Sequence, residues 1–70
     1  MENPQLNKAL NEYVAKVKGQ IIWITINTIN NPPTIKPYLS PDGSKEQNRK
    51  KIKANIEKIA KNFGKYIVIC

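Results

Sequence analysis

The chain predicts a small α+β domain: a two-layer sandwich of order α-β-(β)-α-β, with two helices packed on one face of a two- or three-stranded sheet. Two segments repeat apolar residues at helical spacing, the stretch between them is rich in β-branched and aromatic residues, and Pro and Gly clusters separate the three. Seventy residues form a single domain, 1–70, near the lower limit of what one hydrophobic core can stabilise without staples.

Asn3-Pro4 supplies an N-cap and a first-position proline, and Leu6, Leu10, Val14 and Val17 recur at helical spacing up to Gly19. A helix is therefore expected from about 4 to 18, with Lys8, Glu12 and Lys16 forming four-residue charge pairs on its outer side. Gln20 to Ile29 reads as a strand, with Ile22, Ile24 and Ile26 on one face and Ile21, Trp23, Thr25, Asn27 and Ile29 on the other. Both faces are partly apolar, so the one turned away from the helices must be covered or used. Trp23, the only tryptophan, is either an exposed stacking or partner platform shared with Thr25 and Asn27, or a packed core or edge residue.

Asn30 to Pro33 breaks the strand, and Thr34 to Leu39 either returns as a second strand or stays an extended loop. Pro37 removes a ladder donor and assigns it to an edge. Pro41-Asp42-Gly43 makes a turn, and Ser44 with Gln47 forms a capping box that opens a second helix. In that helix Ile52, Ile56, Ile59 and Phe63 make a narrow apolar stripe, and Gly64 suits an αL cap. Lys65 to Cys70 reads as a short last strand, expected to lie parallel to the first across the helical crossover. The edges of so small a sheet invite a homodimer or docking on a larger complex.

Charge is distributed unevenly. Residues 45 to 65 hold Lys45, Arg49, Lys50, Lys51, Lys53, Lys58, Lys61 and Lys65 against Glu46 and Glu57, which is +6 of the chain's net +7. Eleven lysines, eleven isoleucines and nine asparagines indicate an AT-rich coding bias. That bias explains Lys over Arg but not twelve basic residues over five acidic ones. A rod of lysines points to a polyanion. The expectation is a nucleic-acid-binding protein, RNA or DNA, in which Lys45, Arg49, Lys50, Lys51, Lys53, Lys58 and Lys61 neutralise phosphates with weak sequence preference and Trp23 or Tyr38 stacks on bases. The alternative is a non-enzymatic assembly subunit, of viral or mobile-element type, that uses its Ile/Trp strand face for dimerisation or docking. Membrane-surface binding is disfavoured, because the second helix needs its apolar stripe for the core.

Enzymatic chemistry is not expected. The chain has no histidine, one aspartate and no convincing carboxylate pair, and its three glycines make no phosphate-cradling loop. With one cysteine there is neither an internal disulfide nor a zinc set, so no cofactor or metal is expected. Neither a signal-like segment nor a membrane span is legible, which predicts a cytoplasmic, reducing location.

Leu10-Asn11-Glu12-Tyr13 and Gly43-Ser44-Lys45 resemble the two ends of a double-stranded-RNA-binding domain. The resemblance implies RNA contacts by Glu12 and Lys45, with Arg49 and Lys50 beside them. The segment between the helices is too short for that family's three full strands, and a strand follows the last helix where the family's fold ends.

Overall fold

The computed structural model describes residues 4–70, so the Asn3 cap lies outside the described residues. The elements are α1 (Pro4–Lys16), β1 (Ile21–Asn27), β2 (Thr34–Leu39), α2 (Glu46–Lys61) and β3 (Ile67–Val68). Both helices pack on the same side of the sheet. Leu6, Leu10 and Tyr13 of α1 and Ile52, Ile56 and Ala60 of α2 meet Ile21, Ile35 and Val68 in one core. Each fully buried Leu or Ile there contributes about 1.5–3 kcal/mol of transfer free energy. The expected Lys8–Glu12–Lys16 pairs do not close. Among the described residues the ion pairs are Lys45–Asp42 at 3.5 Å and Lys50–Glu46 at 3.2 Å, both exposed. Such solvated pairs gain too little to hold long side chains in place.

The sheet order is β1-β2-β3, with β1 and β2 antiparallel and β2 and β3 parallel. Residues 34 to 39 are thus a strand, and it is the central one. The expected edge position for Pro37 and the parallel pairing of the last strand with the first are both corrected. The crossover through α2 starts from β2, so β3 returns beside β2 and not beside β1. Proline is tolerated in the middle because β3 is short. Ile67 and Ile69 donate N–H bonds to the carbonyls of Pro33 and Ile35, each 2.9 Å, so odd-numbered residues of β2 face β3. The next rungs on either side would need N–H donors at Pro33 and Pro37, which have none. Two prolines therefore bracket the β2–β3 ladder and limit it to two residues.

The face assignment of β1 is also corrected at its start. A register shift between Ile21 and Trp23 puts Ile21 opposite Leu39 and Trp23 opposite Tyr38. This extra residue turns Ile21 into the core and leaves Ile22 58% exposed, while Ile24 and Ile26 stay on the core side.

Between the elements, the Ser40–Lys45 turn is pinned to the α1–β1 junction. Ser40 N–H donates to Gln20 O (3.0 Å), and Ser40 Oγ lies 2.5 Å from Gly19 O while accepting from Gly43 N–H (3.2 Å). The expected capping box does not form. Ser44 Oγ donates to Ser40 O at 2.9 Å, Lys45 occupies the cap position without a side-chain bond, and Asn48 Nδ2 ties the first turn of α2 to Asp42 O at 2.9 Å. At the other end α2 stops at Lys61 with Asn62 right-handed, and Gly64, at φ 143°, makes the bend into β3 outside the αL region expected for it.

Gly43 is buried with its backbone against Gln20, where a Cβ would fall 2.0 Å from the Gln20 carbonyl oxygen. Backbone cannot swing aside as a side chain does. Gly43→Ala is therefore expected to lower unfolding free energy by about 3 kcal/mol or more, a large share of the stability of so small a domain. Urea denaturation followed by circular dichroism measures it, and a loss below about 1 kcal/mol would show that the junction yields.

Candidate nucleic-acid interface

The seven basic residues expected to act together are all exposed, but the six that lie on α2 occupy three sectors of it. Because the helix advances 3.6 residues per turn, Lys51 and Lys58 share one flank, Arg49 and Lys53 the opposite flank, and Lys50 and Lys61 the crest between them. Lys45 stands before the helix, paired with Asp42.

The Lys51/Lys58 flank faces α1 across a groove made of two adjoining hollows of about 320 and 460 Å³. Lys16 and Lys18, at the end of α1, line its other wall, with Tyr13 and Asn55 at its floor. Asn55 Nδ2 donates to Tyr13 Oη at 3.0 Å, giving the nearly buried phenol the partner it requires and fixing the spacing of the two helices. Lys16 and Lys18 are groove-lining cations that sequence reasoning did not place beside α2. The available signal was a pair of lysines just ahead of the helix-ending Gly19, which read as ordinary surface charge.

The Arg49/Lys53 flank faces the end of β3. Both cations act on the Cys70 thiol, whose pKa is nevertheless raised above its ordinary value, chiefly by partial burial; Lys53 and Arg49 pull it down and Glu57 pushes it up. The thiol is therefore protonated at neutral pH.

On the side away from the helices the sheet is uncovered. Trp23, Thr25 and Asn27 of β1, Thr34, Lys36 and Tyr38 of β2, and Ile67 of β3 share this face by register, and Ile69, just after β3, lines a hollow on it. Trp23 is 56% exposed, so it is not a core residue. Its ring packs against Tyr38 at 5.2 Å between centroids and 51° between planes, and Lys36 Nζ sits 5.4 Å from the Tyr38 centroid. A shallow hollow of about 280 Å³ beside the pair is lined by Thr25, Asn27, Asn30, Thr34, Lys36, Tyr38 and Ile69. Glu12, implicated by the double-stranded-RNA-binding resemblance, is exposed on α1, and the three-stranded mixed sheet differs from that family's pattern.

Among the described residues no helix is long and apolar enough to cross a membrane, and no group of three or more His, Cys, Asp or Glu is placed to hold a metal. Comparison with protein-family models, with curated proteins and with solved structures gives no match to this chain. The functional reading rests on its own residues.

The Cys70 environment gives a direct check of the flank's electrostatics. Alkylation by iodoacetamide at pH 8 is expected to be slower than for an unstructured cysteine peptide, since only the thiolate reacts. Removing the nearby cations in an Arg49→Ala/Lys53→Ala variant is expected to slow it further and to move its pH midpoint upward. An unchanged rate would place those cations too far away to act.

Proposed function

We propose that this protein is a small, non-enzymatic nucleic-acid-binding protein that contacts the phosphate backbone through α2 with weak sequence preference. The observation that carries the reading is the run of cations on α2 without acidic partners. Among the described residues Arg49, Lys51, Lys53, Lys58 and Lys61 form no ion pair, while Lys45 and Lys50 do. Net charge keeps a fold soluble, but like charges crowded on one rod also repel one another and oppose compaction. A polyanion relieves that repulsion and releases its own counterions on binding.

The groove between the helices adds geometry to the charge. Lys16 and Lys18 face Lys51 and Lys58 across it, so cations from two elements can approach one backbone from both sides. Lysines act here as point charges, and none is placed by neighbouring bonds into the fixed fork that base reading requires. The contacts are therefore directed at phosphate.

A second reading, an assembly subunit that pairs with a copy of itself or docks on a larger complex, is favoured by one observation. Ile22 and Trp23 are both more than half exposed at the outer strand β1. Sedimentation over a wide concentration range separates the readings, since an assembly subunit gains mass with concentration in the absence of nucleic acid.

The phosphate reading is tested by fluorescence anisotropy with short labelled RNA and DNA at several salt concentrations. Affinity is expected to fall by about 0.7–0.9 log units per log unit of salt for each phosphate neutralised. Replacing Lys51, Lys58 and Lys61 by Gln is expected to reduce that slope by two to three such increments while leaving the circular dichroism spectrum unchanged, since all three side chains are exposed. Binding with an unaltered slope would remove α2 from the interface.

A further inference from the structure

From the open face of the sheet we infer that the ligand is single-stranded, with a base stacked on the Trp23/Tyr38 pair while the phosphates beside it are held by Lys36 and by the Arg49/Lys53 flank of α2. This deepens the proposed function and rests on it.

Three features of the face support a nucleotide as occupant. First, its aromatic surface is available: Trp23 is 56% and Tyr38 39% exposed, and their rings meet at 51° rather than face to face. Base-to-aromatic stacking needs an accessible π-surface and tolerates any base. Second, the charge is complementary. Lys36 lies on the same face 5.4 Å from the Tyr38 ring, so a base against that ring carries its phosphate close to a cation. No acidic residue lines the hollow. Third, the walls are polar and small. Thr25, Asn27, Asn30 and Thr34 surround the 280 Å³ hollow, which is shallow for an enclosed organic ligand but open to a planar ring held on one side. Asn27 Oδ1 accepts from Ile29 N–H at 2.9 Å, which leaves its amide nitrogen as a donor for a base edge.

The face also connects to the cations of α2. Ile69 lines the hollow, and the next residue, Cys70, lies within reach of the charges of Arg49 and Lys53. A strand leaving the hollow over the β3 edge thus meets the flank of α2 that points away from the α1 groove. A duplex cannot use this route, because its bases are stacked on one another and offer no free face.

The test compares three labelled probes in anisotropy: a single strand, the same strand with abasic sites in place of its bases, and the corresponding duplex, each as RNA and as DNA. The single strand is expected to bind about five- to 160-fold more tightly than the abasic strand, the range for one stacked base. Trp23→Ala is expected to abolish that advantage while leaving affinity for the abasic strand and the duplex unchanged, since those use the phosphate contacts alone. As a readout that needs no variant, the single strand should quench Trp23 fluorescence and the abasic strand should not. Equal binding of the normal and abasic strands, or an unquenched Trp23, would overturn the stacking site and leave the phosphate reading standing. Absence of binding to all three probes at low salt would overturn both.

Discussion

The approach of Gly43 to the Gln20 carbonyl is the constraint on which the rest of the arrangement depends. It joins the end of α1 and the start of β1 to the turn that leads from β2 into α2, and Ser40 closes the same joint with its hydroxyl and its backbone N–H. From that point β1 and β2 pair antiparallel, and both helices pack on the same side of the sheet. The core between them is small, and Leu6, Ile35, Ile52 and Ile56 are its fully buried side chains. Deleting the bulk of any one costs about 2–5 kcal/mol, comparable with the whole stability of a domain this size, so the joint and the core are both indispensable.

Placing both helices on one side divides the surface by chemistry. The helix side takes nearly all the net charge, arranged around α2 in flanks that look in different directions. The sheet side takes the aromatic and hydroxyl residues, with Lys36 as its cation. On the proposed reading, a polyanion with both charged and planar parts can use both surfaces.

Much of the fold is legible in the sequence because its signals are local. Leu6, Leu10, Ile52 and Ile56 sit at helical spacing and are buried; Pro41-Asp42-Gly43 lies in the turn expected of it; and Trp23 shares a face with Thr25 and Asn27 as period-two alternation requires. What escapes is set by long-range pairing. The bulge at Ile22 reverses the facing of Ile21 and Ile22 without altering composition, and the central position of β2 depends on which strand β3 chooses to join. The Ser44 hydroxyl stands beside a helix start, and only the folded turn commits it to the Ser40 carbonyl. At the candidate site the excess of charge is plain in the sequence, but its division into flanks and the placing of Lys16 and Lys18 across the groove from Lys51 require the helix pair to be in place.

The two prolines that bracket the β2–β3 ladder make the sheet unequal at its two sides. Because Ile35 turns its peptide groups toward β3, the residues on either side of it turn theirs toward β1, and in β1 itself the outward-facing groups are those of Ile24 and Ile26. That edge carries no charge and no proline, whereas the opposite edge is a strand of two residues. Growth of the sheet is thus one-sided. A second copy added along β1 would use up the single open edge of each chain, so backbone pairing closes at two and cannot run on into a fibre.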